Sequence, residues 1–216
     1  MSLTLYFHPL SSFCHKALIA FYELDIKFEK RIIDLGNAAD RAELQALWPL
    51  GKFPVIRDHA RNKAVPESSV IIEYLDRQAN LIPEAWEAAL EVKLWDRFFD
   101  LHVQVPMQKI VADRINAANG DLTRERAALT TAYGMLEHQL TGKTWVAGPA
   151  FSMADCAAAP ALFYASTLVP FADEHRHLCA YFDRLVQRPS VNRVIDEARP
   201  YFSMYPFAEA IAPRFR

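Results

Sequence analysis

The sequence predicts a small mixed α/β domain followed by an all-helical domain. The first 80 residues alternate between short, β-prone apolar runs and stretches with helical spacing, and the strand-like runs then disappear. The predicted order is β-α-β-α-β-β-α. A helical crossover makes the first two strands parallel, and a tight turn at 59–62 makes the last two a hairpin. We therefore place the two domains at residues 1–80 and 87–216.

The α/β domain is predicted from its apolar runs and its helical stretches. Strands are expected at residues 3–7, 27–34, 53–58 and 63–65. Helices are expected at residues 12–24 and 67–79, and the polar stretch NAADRAELQAL also permits one. In the first helix Phe13, Ala17 and Ala20 recur at helical spacing, which gives this segment an apolar face. Together these elements predict a small mixed sheet with helices on its faces.

The second part of the sequence has helical periodicity throughout. Residues 87–118 carry one long helical pattern, in which we expect Pro106 to produce a kink. Further helices are predicted at residues 123–140, 154–168, 175–188 and 190–199. The pattern is typical of an all-α domain.

The composition bounds the class of protein. The chain has 216 residues, of which 52% are hydrophobic and 23% charged, as is ordinary for a globular protein. The net charge is −2 and no basic stripe is present, so nothing supports nucleic-acid binding. The apolar runs are far shorter than the roughly 20 residues that span a bilayer. The N-terminal MSLTLYF lacks the features of a signal peptide, so we expect no membrane partner.

The cysteines give no sign of a disulfide framework or a metal centre. Cys14, Cys156 and Cys179 are odd in number and far apart, which together with the absent signal peptide favours the cytoplasm. The run HRHLC at 175–179 resembles a metal-binding tract. On a helix, however, these side chains do not all point one way, so we predict no metal site.

The stretch HPLSSFCHKA, residues 8–17, concentrates reactive side chains near the start of the predicted first helix. Ser11 and Ser12 offer hydroxyl donors, and Cys14 offers a thiol. Ser12 is also suited to cap the helix. Cys14 falls on the apolar stripe, where it would be a small buried residue. The residues by themselves leave these alternatives open.

Four stretches, in order along essentially the whole chain, resemble the cytosolic glutathione transferase family. They are LYFHPLSSFCHKALIAFYE, PLGKFPVI, ESSVIIEYL and FSMADCAAAPAL. The family counterparts are the first strand with the active-site loop and first helix, the cis-proline segment, the glutamyl-binding segment, and the start of the central helix of the helical domain. The loop is similar to those of bacterial, serine-type members and of the zeta and phi classes. The resemblance implies a thioredoxin-like N-terminal domain and an enzyme that conjugates glutathione to a small hydrophobic electrophile, as detoxification enzymes do.

The resemblance also implies a set of glutathione contacts. Ser68 would bind the glutamyl carboxylate and Glu67 the glutamyl ammonium. Phe53, before a cis Pro54, would pair with the cysteinyl backbone, and Lys52 would meet the glycyl carboxylate. A helix N-terminus attracts a carboxylate, which agrees with the position of Ser68. The alternatives are that the serines only cap a helix and that Lys52 is a solvated loop residue.

The implied chemistry is activation of the glutathione thiol. A hydrogen bond to the thiolate lowers the pKa of that thiol, so the enzyme must offer a donor to sulfur. Counted from His8 and Pro9, Ser11 matches the serine of the serine-type classes, and Ser12 is the second candidate. Two alternatives remain: a cysteine-type thiol reductase that works through a mixed disulfide at Cys14, and a non-catalytic binding module of the same fold.

The second substrate would bind between the domains. We expect Met107, Ile110 and Arg114 of the long helix to line its site, together with the loop after Pro9. Glutathione would act as a co-substrate, and no tightly bound cofactor is expected.

The resemblance also implies a homodimer. Apolar residues such as Phe98 and Phe99 on the long helix support this expectation.

Overall fold

The computed structural model describes residues 2–216. Within that range the strands form one sheet: β1 (Leu3–Phe7), β2 (Glu29–Ile32), β3 (Val55–Asp58) and β4 (Lys63–Pro66). The strand order is β2-β1-β3-β4. β2 runs parallel to β1, while the β1–β3 and β3–β4 pairs are antiparallel. The mixed sheet and its pairing confirm the prediction.

Both faces of the sheet are buried because consecutive apolar residues of a strand point to opposite faces. Leu5 pairs with Ile56 across β1 and β3, and both belong to the large core that contains the first and third helices. Val55, the neighbour of Ile56, points the other way and packs against Leu44. This arrangement places helices on both sides of the strands.

The helices follow the predicted order. Those of the N-terminal part are α1 (Ser12–Glu23), α2 (Ala38–Leu47) and α3 (Ser68–Leu75). Those of the C-terminal part are α4 (Trp86–Phe98), α5 (Val105–Ile115), α6 (Thr123–Gln139), α7 (Met153–Leu168), α8 (Arg176–Gln187) and α9 (Pro189–Ala198). Short 3₁₀ turns follow at Arg199–Met204, Ala208–Ala210 and Pro213–Phe215. None of the helices within residues 2–216 has the length and apolar character needed to cross a membrane.

The long helical pattern after residue 86 is divided by a π-helical turn. The turn spans Phe99–Gln104 and separates α4 from α5. Pro106 lies in the first turn of α5, where its missing N–H costs nothing. The predicted kink is therefore a π-helical turn that ends just before the proline.

The helix α7 is the centre of the helical domain. It is buried along almost its whole length and packs against α1 of the α/β domain. Its start is fixed by Asp155, whose carboxylate accepts hydrogen bonds from the backbone N–H and hydroxyl of Ser152 and from Tyr181 Oη at 2.6–2.9 Å. This is a capping box in the core, and it fixes the start of the helix against which α1 packs.

Candidate active site

The loop from β1 to α1 ends in a capped helix start, and Ser11 is the cap. The Ser11 backbone is extended, and its Oγ accepts a hydrogen bond from the Cys14 backbone N–H at 3.4 Å. The Ser11 N–H donates to the carbonyl of His8 at 3.0 Å, which closes the loop. Because the oxygen accepts and the proton stays free, Ser11 can cap the helix and still donate to a ligand.

The neighbours of Ser11 are enclosed. Ser12 is the first residue of α1 and is only 5% exposed, so it does not cap the helix as the sequence had suggested. Cys14 is completely buried, and burial raises the pKa of its thiol to about 12, although hydrogen bonds from Ser11 and His8 oppose the rise. A buried thiol with this pKa is neutral at physiological pH and is a poor nucleophile.

One cavity brings the predicted glutathione contacts together. It measures about 530 Å³ and lies between the α/β domain and the end of α4. Its walls include every residue that the resemblance assigned to glutathione: Lys52, Phe53, Pro54, Glu67 and Ser68.

The N-terminus of α3 forms one wall of this cavity. Glu67 occupies the N-cap position with φ 67°, a left-handed conformation that is costly for a residue other than glycine. Glu67 is exposed, while Ser68 and Ser69 are buried in the first turn. Neither serine is therefore the N-cap. The first turn presents free N–H groups and the positive end of the helix toward the cavity.

Phe53 lies between this cavity and a second one. The peptide bond to Pro54 is cis. Within residues 2–216 the backbone N–H and C=O of Phe53 form no backbone hydrogen bond, so they are free to pair with an extended ligand. The Phe53 ring stacks on the imidazole of His8, with 6.0 Å between the ring centroids.

The second cavity measures about 460 Å³ and contains Ser11, Ser12 and Phe53. It is lined on its far side by α5 and by aromatic residues such as Tyr164 and Tyr205. This is a mainly apolar space next to a hydroxyl donor.

The second-substrate residues expected from the sequence fall in different places. Met107 lines the second cavity. Ile110 is fully buried in the core. The guanidinium of Arg114 lies 5.5 Å from the centre of the Phe207 ring and is not part of the cavity wall.

At the wall of the first cavity lies a cluster of charges, called here the Lys16 cluster, that the sequence did not reveal. Lys16 Nζ is 2.6 Å from Asp96 Oδ1, 2.7 Å from Asp100 Oδ2 and 2.8 Å from Ser69 Oγ. The Ser69 hydroxyl donates to Asp96 at 2.7 Å and accepts from Arg97 at 2.8 Å. The hydroxyl of Ser69 is therefore occupied, and Ser68 is left to face the cavity.

The Lys16 cluster connects three parts of the fold. Lys16 comes from α1, Ser69 from α3, and Asp96 and Arg97 from α4. Asp100 belongs to the π-helical turn and also lines the first cavity. Burial raises the pKa of Asp100, and the ammonium of Lys16 opposes that rise. No motif search would find this cluster, because its members are scattered along the chain.

Trp48 is a further cavity residue that the sequence did not single out. Its side chain lines the same cavity as Lys52. The indole Nε1–H is buried, and no hydrogen-bond partner for it is found within residues 2–216. Because this nitrogen is buried, Trp48 contributes its ring to the cavity wall.

The fold and the cavities define a class of two-domain proteins, in which a thioredoxin-like sheet domain and a helical domain enclose a peptide-sized cavity. Two family descriptions match consecutive parts of the chain. "Glutathione S-transferase, N-terminal domain" matches residues 5–84, and "Glutathione S-transferase, C-terminal domain" matches residues 98–189. The chain belongs to the glutathione S-transferase family.

Known proteins show the same relationship at low identity. The chain is 28% identical over 211 residues to glutathione S-transferase-like protein OpS6 of Beauveria bassiana, covering 88% of this chain and 93% of that protein. It is 25% identical over 208 residues to elongation factor 1-gamma 3 of Oryza sativa subsp. japonica, covering 92% of this chain and 50% of that protein. A glutathione S-transferase structure from Methylobacillus flagellatus, with glutathione bound, superposes with a TM-score of 0.77 at 21% identity, covering 89% and 98% of the two chains.

Proposed function

We propose that the protein is a glutathione transferase that activates the glutathione thiol for conjugation to a small hydrophobic electrophile. In this proposal residues 1–80 bind glutathione, and residues 87–216 line the site of the electrophile. The observation that carries it is the single cavity lined by Lys52, Phe53 and Ser68 beside the loop that contains Ser11.

Glutathione would lie along the cavity as an extended peptide. Its glutamyl carboxylate would meet Ser68 and the first N–H groups of α3, and its ammonium would meet Glu67. The cysteinyl backbone would pair with the free N–H and C=O of Phe53, as an added strand does. The glycyl carboxylate would be met by Lys52.

The thiol would then point toward the second cavity, where Ser11 lies. The Ser11 hydroxyl would donate to sulfur and favour the thiolate, and the N-terminus of α1 would add positive potential. The thiolate attacks the electrophilic carbon of the second substrate, and the leaving group departs with the bonding electrons. Phe53, Met107 and Tyr164 would hold an apolar substrate against the sulfur.

Binding of reduced glutathione tests the first part of the proposal. Calorimetry on the parent protein should give saturable binding. Ser68→Ala and Glu67→Ala should each weaken it by about 1–3 kcal/mol, since each leaves a polar ligand group without its partner. Ser166→Ala is a suitable control, because its hydroxyl bonds to the carbonyl of Phe163 within α7 and faces neither cavity. If both cavity variants bind glutathione as tightly as the control does, the site is elsewhere.

A second candidate function is a non-catalytic binding module. The similarity to elongation factor 1-gamma 3 favours it, because a protein named as an elongation factor is similar to 92% of this chain. Assay of the parent protein with a chlorinated nitrobenzene separates the two candidates: glutathione binding without conjugation would support the module.

The reductase alternative depends on an accessible Cys14 thiolate. Cys14 is fully buried and its thiol pKa is raised to about 12, which disfavours a mixed disulfide at this position. Mass spectrometry after incubation with oxidised glutathione should therefore show no glutathione on Cys14.

We also propose a homodimer. Phe98 and Phe99, which the sequence had suggested as contact residues, are 7% and 0% exposed and belong to the core of the protomer. A different set of residues forms an exposed apolar stripe along α4, the π-helical turn and α5, with exposures of 41–57%: Leu90, Leu94, Leu101 and Val105. An apolar stripe of this size on a helix favours a protein partner, and a second copy fits the two-fold pairing of the family.

Light scattering should give twice the 24.6 kDa of one chain. Leu94→Glu should shift the particle toward the mass of one chain, because it places a charge in the apolar interface. Leu35→Glu, at a residue that is 43% exposed on the α/β domain, is the control and should leave the mass unchanged. A parent protein with the mass of a single chain at micromolar concentration contradicts the dimer.

A further inference from the structure

We infer that His15 is a positioning residue for Ser11: its Nε2–H holds the carbonyl of Pro9 and thereby fixes the loop that carries the Ser11 hydroxyl. The inference rests on the proposed function, in which Ser11 donates to the glutathione sulfur. It adds a residue to which the family resemblance assigned no role, although His15 lies within the first of the resembling stretches.

The first observation is the hydrogen bond between His15 and Pro9. His15 lies one turn into α1 and is only 2% exposed. Its Nε2 is 2.5 Å from the Pro9 carbonyl oxygen. A carbonyl can only accept, so the proton must be on Nε2, which fixes the tautomer. Burial lowers the pKa of His15 to about 4, so the ring is neutral at physiological pH and still donates this bond.

The second observation is what the bond holds in place. Pro9 is buried, so its carbonyl oxygen requires a partner inside the protein. Two bonds of the loop are local, from the Leu10 N–H to His8 Nδ1 at 3.2 Å and from the Ser11 N–H to the His8 carbonyl at 3.0 Å. The end of the loop is held by the first turn of α1, because Ser11 accepts from the Cys14 N–H at Oγ and from the His15 N–H at its carbonyl. The bond from the His15 ring holds the middle of the loop, at Pro9, against the same helix.

The third observation is the support of His15 itself. Its ring packs against Tyr164 of α7, with 5.6 Å between the ring centroids. The helix α7 is the buried centre of the helical domain, so the imidazole cannot move without disturbing that core. A chain of contacts therefore runs from Tyr164 through His15 to Pro9, two residues before the hydroxyl that would act on sulfur.

Three variants separate the hydrogen bond from the packing of the ring. His15→Gln places an amide N–H where Nε2 lies. His15→Asn has the same amide group on a shorter side chain that cannot reach Pro9. His15→Phe keeps a ring against Tyr164 but has no donor. The readout is the pKa of the enzyme-bound glutathione thiol, measured by the ultraviolet absorbance of the thiolate. If His15 had only a structural role, this pKa would not separate the variant that keeps the donor from the two that lack it.

If His15 positions Ser11 by its hydrogen bond, the His15→Asn and His15→Phe variants should raise the pKa of the bound thiol by about one unit. Their kcat/KM at neutral pH should then fall about tenfold, because the thiolate fraction falls tenfold. His15→Gln should stay close to the parent. The affinity of all three variants for S-methylglutathione, which has no thiol, should remain within about twofold of the affinity of the parent. This result would show that the cavity is intact.

Two outcomes overturn the inference. In one, His15→Phe keeps the parent thiol pKa, which makes the packing sufficient. In the other, His15→Gln is as impaired as His15→Asn, which makes the donor irrelevant. Ser11→Ala, measured alongside, tells a failure of this inference from a failure of the proposed function. A raised thiol pKa in Ser11→Ala with none in His15→Phe removes only the role of His15, and an unchanged thiol pKa in Ser11→Ala removes Ser11 as the donor.

Discussion

Ser11→Ala is expected to lower the rate of conjugation of a chlorinated nitrobenzene at neutral pH by about ten- to a hundredfold. Removing one hydrogen-bond donor to a thiolate should raise the pKa of the bound thiol by about one to two units. The direction of the pH dependence follows from the ionisation of the thiol. A raised pKa reduces the thiolate fraction at neutral pH, whereas at high pH the thiol ionises without help. The deficit of the variant should therefore shrink steadily as the pH of the assay rises.

The cap role of Ser11 requires a matched variant. Alanine at an N-cap costs about 1 kcal/mol of stability, whereas glycine costs only a few tenths. Ser11→Gly should therefore show the same loss of activity as Ser11→Ala but a much smaller loss of stability. Ser12→Ala and Cys14→Ala should keep most of the activity. If Ser12→Ala or Cys14→Ala is the impaired variant instead, the thiolate is stabilised by a different residue of this loop.

Lys16→Met is expected to reduce the free energy of unfolding by about 3–5 kcal/mol. Methionine fills a similar volume, so little packing is lost. Asp96 is fully buried and Asp100 largely so, and without the ammonium 2.6–2.7 Å away they become uncompensated carboxylates. Breaking a buried ion pair in this way has a cost of that size. Urea unfolding at a fixed protomer concentration measures it.

The same substitution at a surface pair is the control. Lys93 Nζ lies 3.5 Å from Glu73 with both side chains well exposed, so Lys93→Met should change the stability by no more than about 0.5 kcal/mol. The double variant Lys16→Met with Asp96→Asn should be more stable than Lys16→Met alone, because it removes one unpaired charge. A loss below about 1 kcal/mol in Lys16→Met would show that the cluster is solvated.

The sequence was informative wherever function depends on local pattern. Short apolar runs predicted the strands around Leu5 and Val55, because a strand with two buried faces carries apolar residues in succession. The motif around Pro54 and the one around Ser68 indicated the two ends of one cavity. Both motifs act through backbone groups and a helix start, so a short stretch of sequence contains most of their chemistry.

The parts of the site that the sequence did not predict depend on contacts between residues far apart in the chain. Lys16 and Asp100 are 84 positions apart, and the sequence around either residue gives no indication that the two side chains meet. Ile110 was expected at the site of the second substrate because it lies on the long helix that would line it. The structure instead buries Ile110 fully in the core, since which face of that helix meets the cavity depends on how the helices pack. The cap fell on Ser11 rather than Ser12 because the loop closes on His8.

The backbone and the side chain of Phe53 have separate roles, and this separation affects which substitutions the protein can tolerate at this position. Under the proposed function its backbone would bind glutathione, and its ring forms the wall shared with the second cavity. A substitution alters the ring but leaves the N–H and C=O in place. Position 53 can therefore diversify the electrophiles accepted while the thiol donor stays the same. This makes it a first choice for libraries that seek new substrates.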